Sequence, residues 1–154
     1  MRKYCFILLL LVVSCSQNTH RQVKVIPDCE WNKNTALDFV ISVDDTISWQ
    51  TMSISLRNRT DYKYQNLYLF ITTRAPYGGV TTDTLNYMLA NDDGSWTGKG
   101  GMFSKHKELE FLYRKYVRFP EKGNYVVTIR HGMREDNLAG IASLGINVSP
   151  APKE

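Results

Sequence analysis

The sequence predicts an all-β fold: an antiparallel sandwich of about seven or eight strands, jelly-roll or immunoglobulin-like in topology. Three observations carry that expectation. Apolar and polar residues alternate with a period of two in several segments, as strands with one wet face do. Turn-forming clusters separate those segments. No long stretch carries the 3.6-residue apolar period of an amphipathic helix.

Taken in order, Leu37, Phe39, Ile41 and Val43 form the first alternating set, with Asp38, Val40 and Ser42 between them. Met52, Ile54 and Leu56 alternate with Ser53, Ser55 and Arg57 in the second. Asn66 to Thr73 (NLYLFITT) is apolar at both parities, which suits a central strand. Thr82 to Leu89 places Leu85, Tyr87 and Leu89 on one side. Residues 109–119 (LEFLYRKYVRF) are ambiguous: Leu109, Phe111 and Tyr113 fit a strand, whereas Leu112, Tyr116 and Phe119 fit a short helix. Tyr125, Val127 and Ile129 mark the next strand, and Leu144, Ile146 and Val148 the last. Breakers and turn formers fall at Asn58 to Asp61, Pro76 to Gly79, Asp92-Asp93-Gly94, Glu121 to Gly123 and Arg134 to Gly140.

The N-terminus has a different character. Arg2 and Lys3 precede an unbroken apolar run, Phe6 to Val13, and the small residue Ser14 comes before Cys15. A basic start, a short apolar stretch and a small residue at the cut describe an export signal. The run is too short to span a bilayer, which takes roughly 20 apolar residues. Val12-Val13-Ser14-Cys15 is similar to the lipobox of bacterial lipoproteins, in which the cysteine thiol is acylated and the chain is cut before it. Residues 1–14 are therefore read as a lipoprotein signal peptide and Cys15 as the lipidated residue. Residues 15–24 are polar after the cysteine and read as a flexible tether. The sandwich is expected over 25–149, with a frayed tail over 150–154. Ser16-Gln17-Asn18-Thr19 lacks an acidic run of the kind that sends some Bacteroidetes lipoproteins to the cell surface, which favours the periplasmic face of the outer membrane.

Of 154 residues, 140 remain after the signal, enough for one domain with a real core. They carry 17 basic and 15 acidic side chains, scattered along the chain, so nothing points to a nucleic-acid partner. Of the three cysteines, Cys5 leaves with the signal and Cys15 is lipidated, so Cys29 stands alone, as a small packed residue or a reactive thiol.

No catalytic constellation, metal site or cofactor motif is visible. His20 lies in the tether, His106 among charged neighbours and His131 at a strand end, without metal-ligand spacing. Asp92-Asp93-Gly94 and Asp44-Asp45 read as turns rather than calcium ligands. Gly94 to Gly101 is a glycine-rich loop centred on Trp96, the leading candidate for an exposed contact, on a protein or a glycan. Asp45-Thr46-Ile47 and Asp83-Thr84-Leu85 fit a short O-glycosylation pattern of exported Bacteroidetes proteins, making Thr46 and Thr84 candidate acceptors.

An ordered set of segments resembles the gliding-motility lipoprotein GldH family. The set comprises Leu56-Arg57-Asn58 through Tyr64 to Ile71, Asp83-Thr84-Leu85 with Tyr87 to Ala90, and Gly94-Ser95-Trp96 with Gly98 and Gly100. Phe119-Pro120, Gly123-Asn124-Tyr125, Met133-Arg134, and Leu138 to Ile141 leading to Gly145-Ile146 complete it. The resemblance implies an envelope lipoprotein of Bacteroidetes, associated with the gliding and type IX secretion apparatus and needed for gliding in species that glide. It implies no enzyme, and only Cys15 transfers as a functional residue. The leading reading is a lipid-anchored interaction module with envelope protein partners. A carbohydrate-binding outer-membrane lipoprotein using Trp96 is the alternative. An enzyme with Cys29 or His131 at its centre comes last.

Overall fold

The computed structural model of the protein describes residues 19–101 and 103–152. The signal segment, Cys15, residues 16–18 of the expected tether and the last two residues of the expected tail lie outside them. The chain runs β1 (His20–Val25), a 3-10 turn (Pro27–Cys29), β2 (Glu30–Asn32), β3 (Leu37–Val43), β4 (Gln50–Arg59) and β5 (Asn66–Arg74). It continues through β6 (Val80–Met88), β7 (His106–Val117), β8 (Gly123–His131), β9 (Asn137–Ala139) and β10 (Ile141–Pro150).

Two four-stranded antiparallel sheets form the sandwich, in orders β1-β10-β4-β7 and β3-β8-β5-β6. Numbering the eight sandwich strands along the chain, the orders are 1-8-3-6 and 2-7-4-5. That interleaving is a jelly roll and resolves the choice against the immunoglobulin-like topology. The remaining strands, β2 and β9, form a short ribbon at one end.

The alternation read from sequence is the core pattern. Leu37, Phe39, Ile41 and Val43 from one sheet face Met52, Ile54 and Leu56 from the other; Leu67, Leu69, Ile71, Val127, Ile129, Leu144 and Ile146 complete the buried layer. The two open sides are closed differently. On one, the Gln22 side chain amide exchanges hydrogen bonds with the backbone of Val40, joining β1 to β3. On the other, Tyr87 stacks on Phe111 at 4.3 Å, and the Asp83 carboxylate accepts from Tyr113 Oη at 2.6 Å and Arg114 at 2.5 Å.

Four expectations need correction. His20–Val25 is a paired strand, not tether: its backbone bonds β10 in full register, while its inward side chains are polar, so no apolar alternation marks it. Pro150 ends β10, and Ala151 donates to Trp49 O at 2.9 Å, so the tail is ordered at its start. Residues 134–140, expected as a turn, contain the three-residue strand β9. The ambiguous segment 109–119 is strand to Val117; bulges against β4 and a positive φ at Tyr116 shift the side-chain parity that suggested a helix.

Candidate functional site

The outer face of the first sheet carries an open groove. Three rows of side chains cross its four strands: Arg21-Asn147-Ser53-Leu112, Val23-Gly145-Ser55-Glu110 and Val25-Ser143-Arg57-Glu108. The floor is shallow because its centre is small. A Cβ on Gly145 would stand 2.5 Å from Ser55 Oγ and 2.7 Å from Gln22 O, so only glycine lets β1 and β4 approach β10 there. One wall is Val23 and Val25 on β1. The other is the segment Thr97–Lys99, which runs along the edge of β7, with Lys99 and Glu108 exchanging both backbone hydrogen bonds at 2.7 and 2.8 Å. The groove between them has a volume of about 700 Å³.

Its polar groups are of both signs. Arg21, Arg57 and Lys99 stand against Glu108 and Glu110. Glu110 accepts from Ser53 Oγ at 2.5 Å and from Asn147 Nδ2 at 3.3 Å, and these bonds hold its carboxyl below the usual carboxylate range. Such a surface can take a chain with alternating polar and charged groups. It holds no paired nucleophile and base.

The predicted site residues scatter. Trp96 is half-buried rather than free-standing: it bridges Ala90, packs against the core and tilts over Tyr62 at 6.4 Å between ring centres. Its neighbours Thr97 and Gly98, not its ring, line the groove. Thr84 is exposed on β6 beside Phe70 of β5. Thr46 is half-buried in the β3–β4 loop, where Asp45 accepts the backbone N–H groups of Ile47 and Ser48 at 2.8 and 3.0 Å. Those bonds and a further one from Ser48 hold the Asp45 carboxyl down at about 2. The loop is thus a turn, as expected. Asp92-Asp93-Gly94 is likewise a turn: Gly94 has φ +82° and Asp93 accepts the Ser95 N–H at 2.9 Å.

Cys29 is half-buried in the 3-10 turn at φ +57°, and its carbonyl accepts the Gly140 N–H at 2.7 Å. His131 is buried, with Trp31 edge-on at 5.3 Å. Neither of its ring nitrogens has a hydrogen-bonding side chain, and burial pushes its pKa down. Cys29 and His131 therefore do not form a nucleophile and base pair. Among the described residues no cluster of three or more His, Cys, Asp or Glu could hold a metal.

The groove wall from β1 is not evident in the sequence because Arg21 to Lys24 read as tether and Val25 only as the first residue of the domain. The faint signal was the period-two spacing of Arg21, Val23 and Val25, whose apolar members face outward.

Comparison with known proteins follows the same boundaries. The family model for the GldH lipoprotein matches residues 18–148, the whole jelly roll but its last strand residues. A "gliding motility lipoprotein GldH homolog" of Christiangramia forsetii is 33% identical over 126 residues, covering 77% of this chain and 76% of that protein. The "gliding motility lipoprotein GldH" of Flavobacterium johnsoniae is 32% identical over 125 residues, with the same coverage. Among solved structures, the Yersinia pseudotuberculosis-derived mitogen aligns over 90% of both chains at 6% identity, with a TM-score of only 0.36. The alignments with the two lipoproteins and the match over 18–148 agree with the ordered segments read from sequence, and the chain belongs to the GldH lipoprotein family.

Proposed function

We propose that this protein is held in the cell envelope by acylation of Cys15 and works by protein contact, as an accessory of the gliding-motility and type IX secretion machinery. The observation that carries the proposal is the family match over residues 18–148, which takes in nearly the whole jelly roll and begins three residues past Cys15. The relatives' names supply the process, and the signal and lipobox supply the anchor. Acyl chains give the anchoring: each buried methylene contributes about 0.8 kcal/mol, so several chains on one cysteine hold firmly. The missing acidic run after Cys15 favours the periplasmic face of the outer membrane.

The groove is the contact surface of this reading. Its mixed charges and small floor suit a polypeptide segment, with Arg21, Arg57 and Lys99 on one side of the balance and Glu108 and Glu110 on the other. A glycan would want an aromatic platform, and Trp96 already spends one side of its ring on Tyr62. Crosslinking in native envelopes followed by affinity recovery tests the proposal. Recovery of large membrane proteins, diminished by reversing charge at Arg57, is the expected result. Clean recovery of the lipoprotein alone would overturn it.

A further inference from the structure

The two ends of the jelly roll differ in what they expose, and one lies next to the lipidation site in sequence. The near end is defined by the start of β1 at His20, the end of β10, and the β3–β4, β5–β6 and β7–β8 loops. His20, Val43, Asp45, Gln50, Phe119 and Val148 line one small cleft there, so these elements converge.

We infer that this near end docks on the bilayer that holds the anchor, seating Ile47 and Trp49 at the lipid headgroup boundary. The inference rests on the proposed acylation of Cys15. Five residue steps separate Cys15 from His20, and an extended chain covers at most about 3.6 Å per step, so His20 stands within roughly 18 Å of the lipidated sulfur's residue. The strands then run away from that point for ten residues, or about 33 Å, to the far end. The membrane is thus nearest to the surface that bears Ile47 and Trp49.

That surface has the composition a bilayer boundary selects. Ile47 is 77% exposed, Trp49 50% and Tyr77 81%. Trp and Tyr concentrate at the headgroup level because one edge is apolar and the other polar. The Arg118 guanidinium lies 4.4 Å from the centre of the Trp49 ring, leaving a cation at the rim where phosphates sit. Lys115 and Lys122 add two more cations, against Asp44, Asp45 and Glu121. Two of those carboxylates are turned to backbone donors: Asp45 accepts from Ile47 and Ser48, and Glu121 from Tyr77 at 3.3 Å. With Arg74 at the end of β5 the cations exceed the carboxylates by one, so attachment is driven mainly by apolar burial and depends little on salt.

The three tryptophans make the test direct, because Trp49 alone lies at the near end. Trp31, beside His131, and Trp96, beside Tyr62, lie at the other. The mature lipoprotein, purified in detergent, is reconstituted into phosphatidylcholine vesicles with and without brominated acyl chains. Mass spectrometry of the N-terminal peptide first reports whether Cys15 is acylated. The expected result is a blue-shifted emission that loses intensity in brominated vesicles, a loss that Trp49→Phe removes and Ile47→Asp weakens. Circular dichroism confirms that both variants fold. An acylated protein with equal emission in both vesicles overturns the inference and leaves the lipoprotein reading standing. An unacylated Cys15 overturns both.

Discussion

The two ends of the sandwich place their tryptophans in opposite ways, although Phe103 is exposed at the far end and Phe119 is buried at the near one. At the far end Trp31 is 1% exposed, donates to Thr35 O at 2.9 Å and meets the buried His131 edge-on. Tyr62 is buried alongside, donating to Asn66 O at 3.0 Å, and Tyr64 donates to Glu135 at 2.7 Å beside the Lys63–Glu135 ion pair at 2.9 Å. At the near end Trp49 and Tyr77 stand in solvent. The ribbon of β2 and β9 makes the difference, because it lids the core at one end and has no counterpart among the described residues at the other. Aromatic content alone therefore says nothing of role. What the neighbouring backbone covers decides it.

Substitutions separate the two ends by size of effect. Trp31→Ala removes a fully buried indole and its hydrogen bond, and should cost about 3–5 kcal/mol in chemical denaturation. Trp49→Ala should stay within about 0.5 kcal/mol in the soluble domain, since its site is exposed. Equal losses at the two positions would break the comparison. Gly145→Ala lies between them. Its Cβ meets backbone at Gln22 O, so β1 must shift, and a loss of about 1–3 kcal/mol with faster hydrogen exchange in β1 is expected. An unchanged β1 would show that the groove floor is not set by that contact.

A smaller effect comes from pH. Burial lowers the His131 pKa below its ordinary 6.5; Lys33 acts in the same sense and Glu135 opposes it. The unfolded chain takes up a proton at higher pH than the folded one does. The stability linked to His131 is therefore complete above about 6.5 and is lost as pH falls through the folded value. Melting at pH 7.5 and 5.5 should show this loss in the parent protein and much less of it in His131→Gln. The same slope in both would mean that His131 takes up its proton without opening the far end.

Much of this architecture was legible in the residues. β3 and β4 alternate because one face of each meets the core and the other meets water or small polar side chains, whereas in β8 and β10 the alternation is interrupted where Thr128 and Gly145, of outward parity, are buried too. β5 reads as a central strand and is one, yet Tyr68 and Phe70 on its outer face are exposed, so apolarity at both parities does not mean burial of both faces. β1 was not legible, since the Gln22 side-chain amide holds it to β3 by hydrogen bonds with the Val40 backbone instead of by apolar contact. β2 and β9 are three residues each, shorter than any period can be recognised. The groove escaped for the same reason as β1: its walls and floor are made of residues whose types, Arg, Val, Ser and Gly, carry no chemical signature apart from their arrangement.

Site-specific photocrosslinking in living cells tests the division of labour most directly. A photoreactive residue at Arg57, in the groove, should capture a discrete envelope protein, and one at Ile47, at the near end, should capture lipid and no protein. A protein adduct from Ile47 with none from Arg57 would contradict the account.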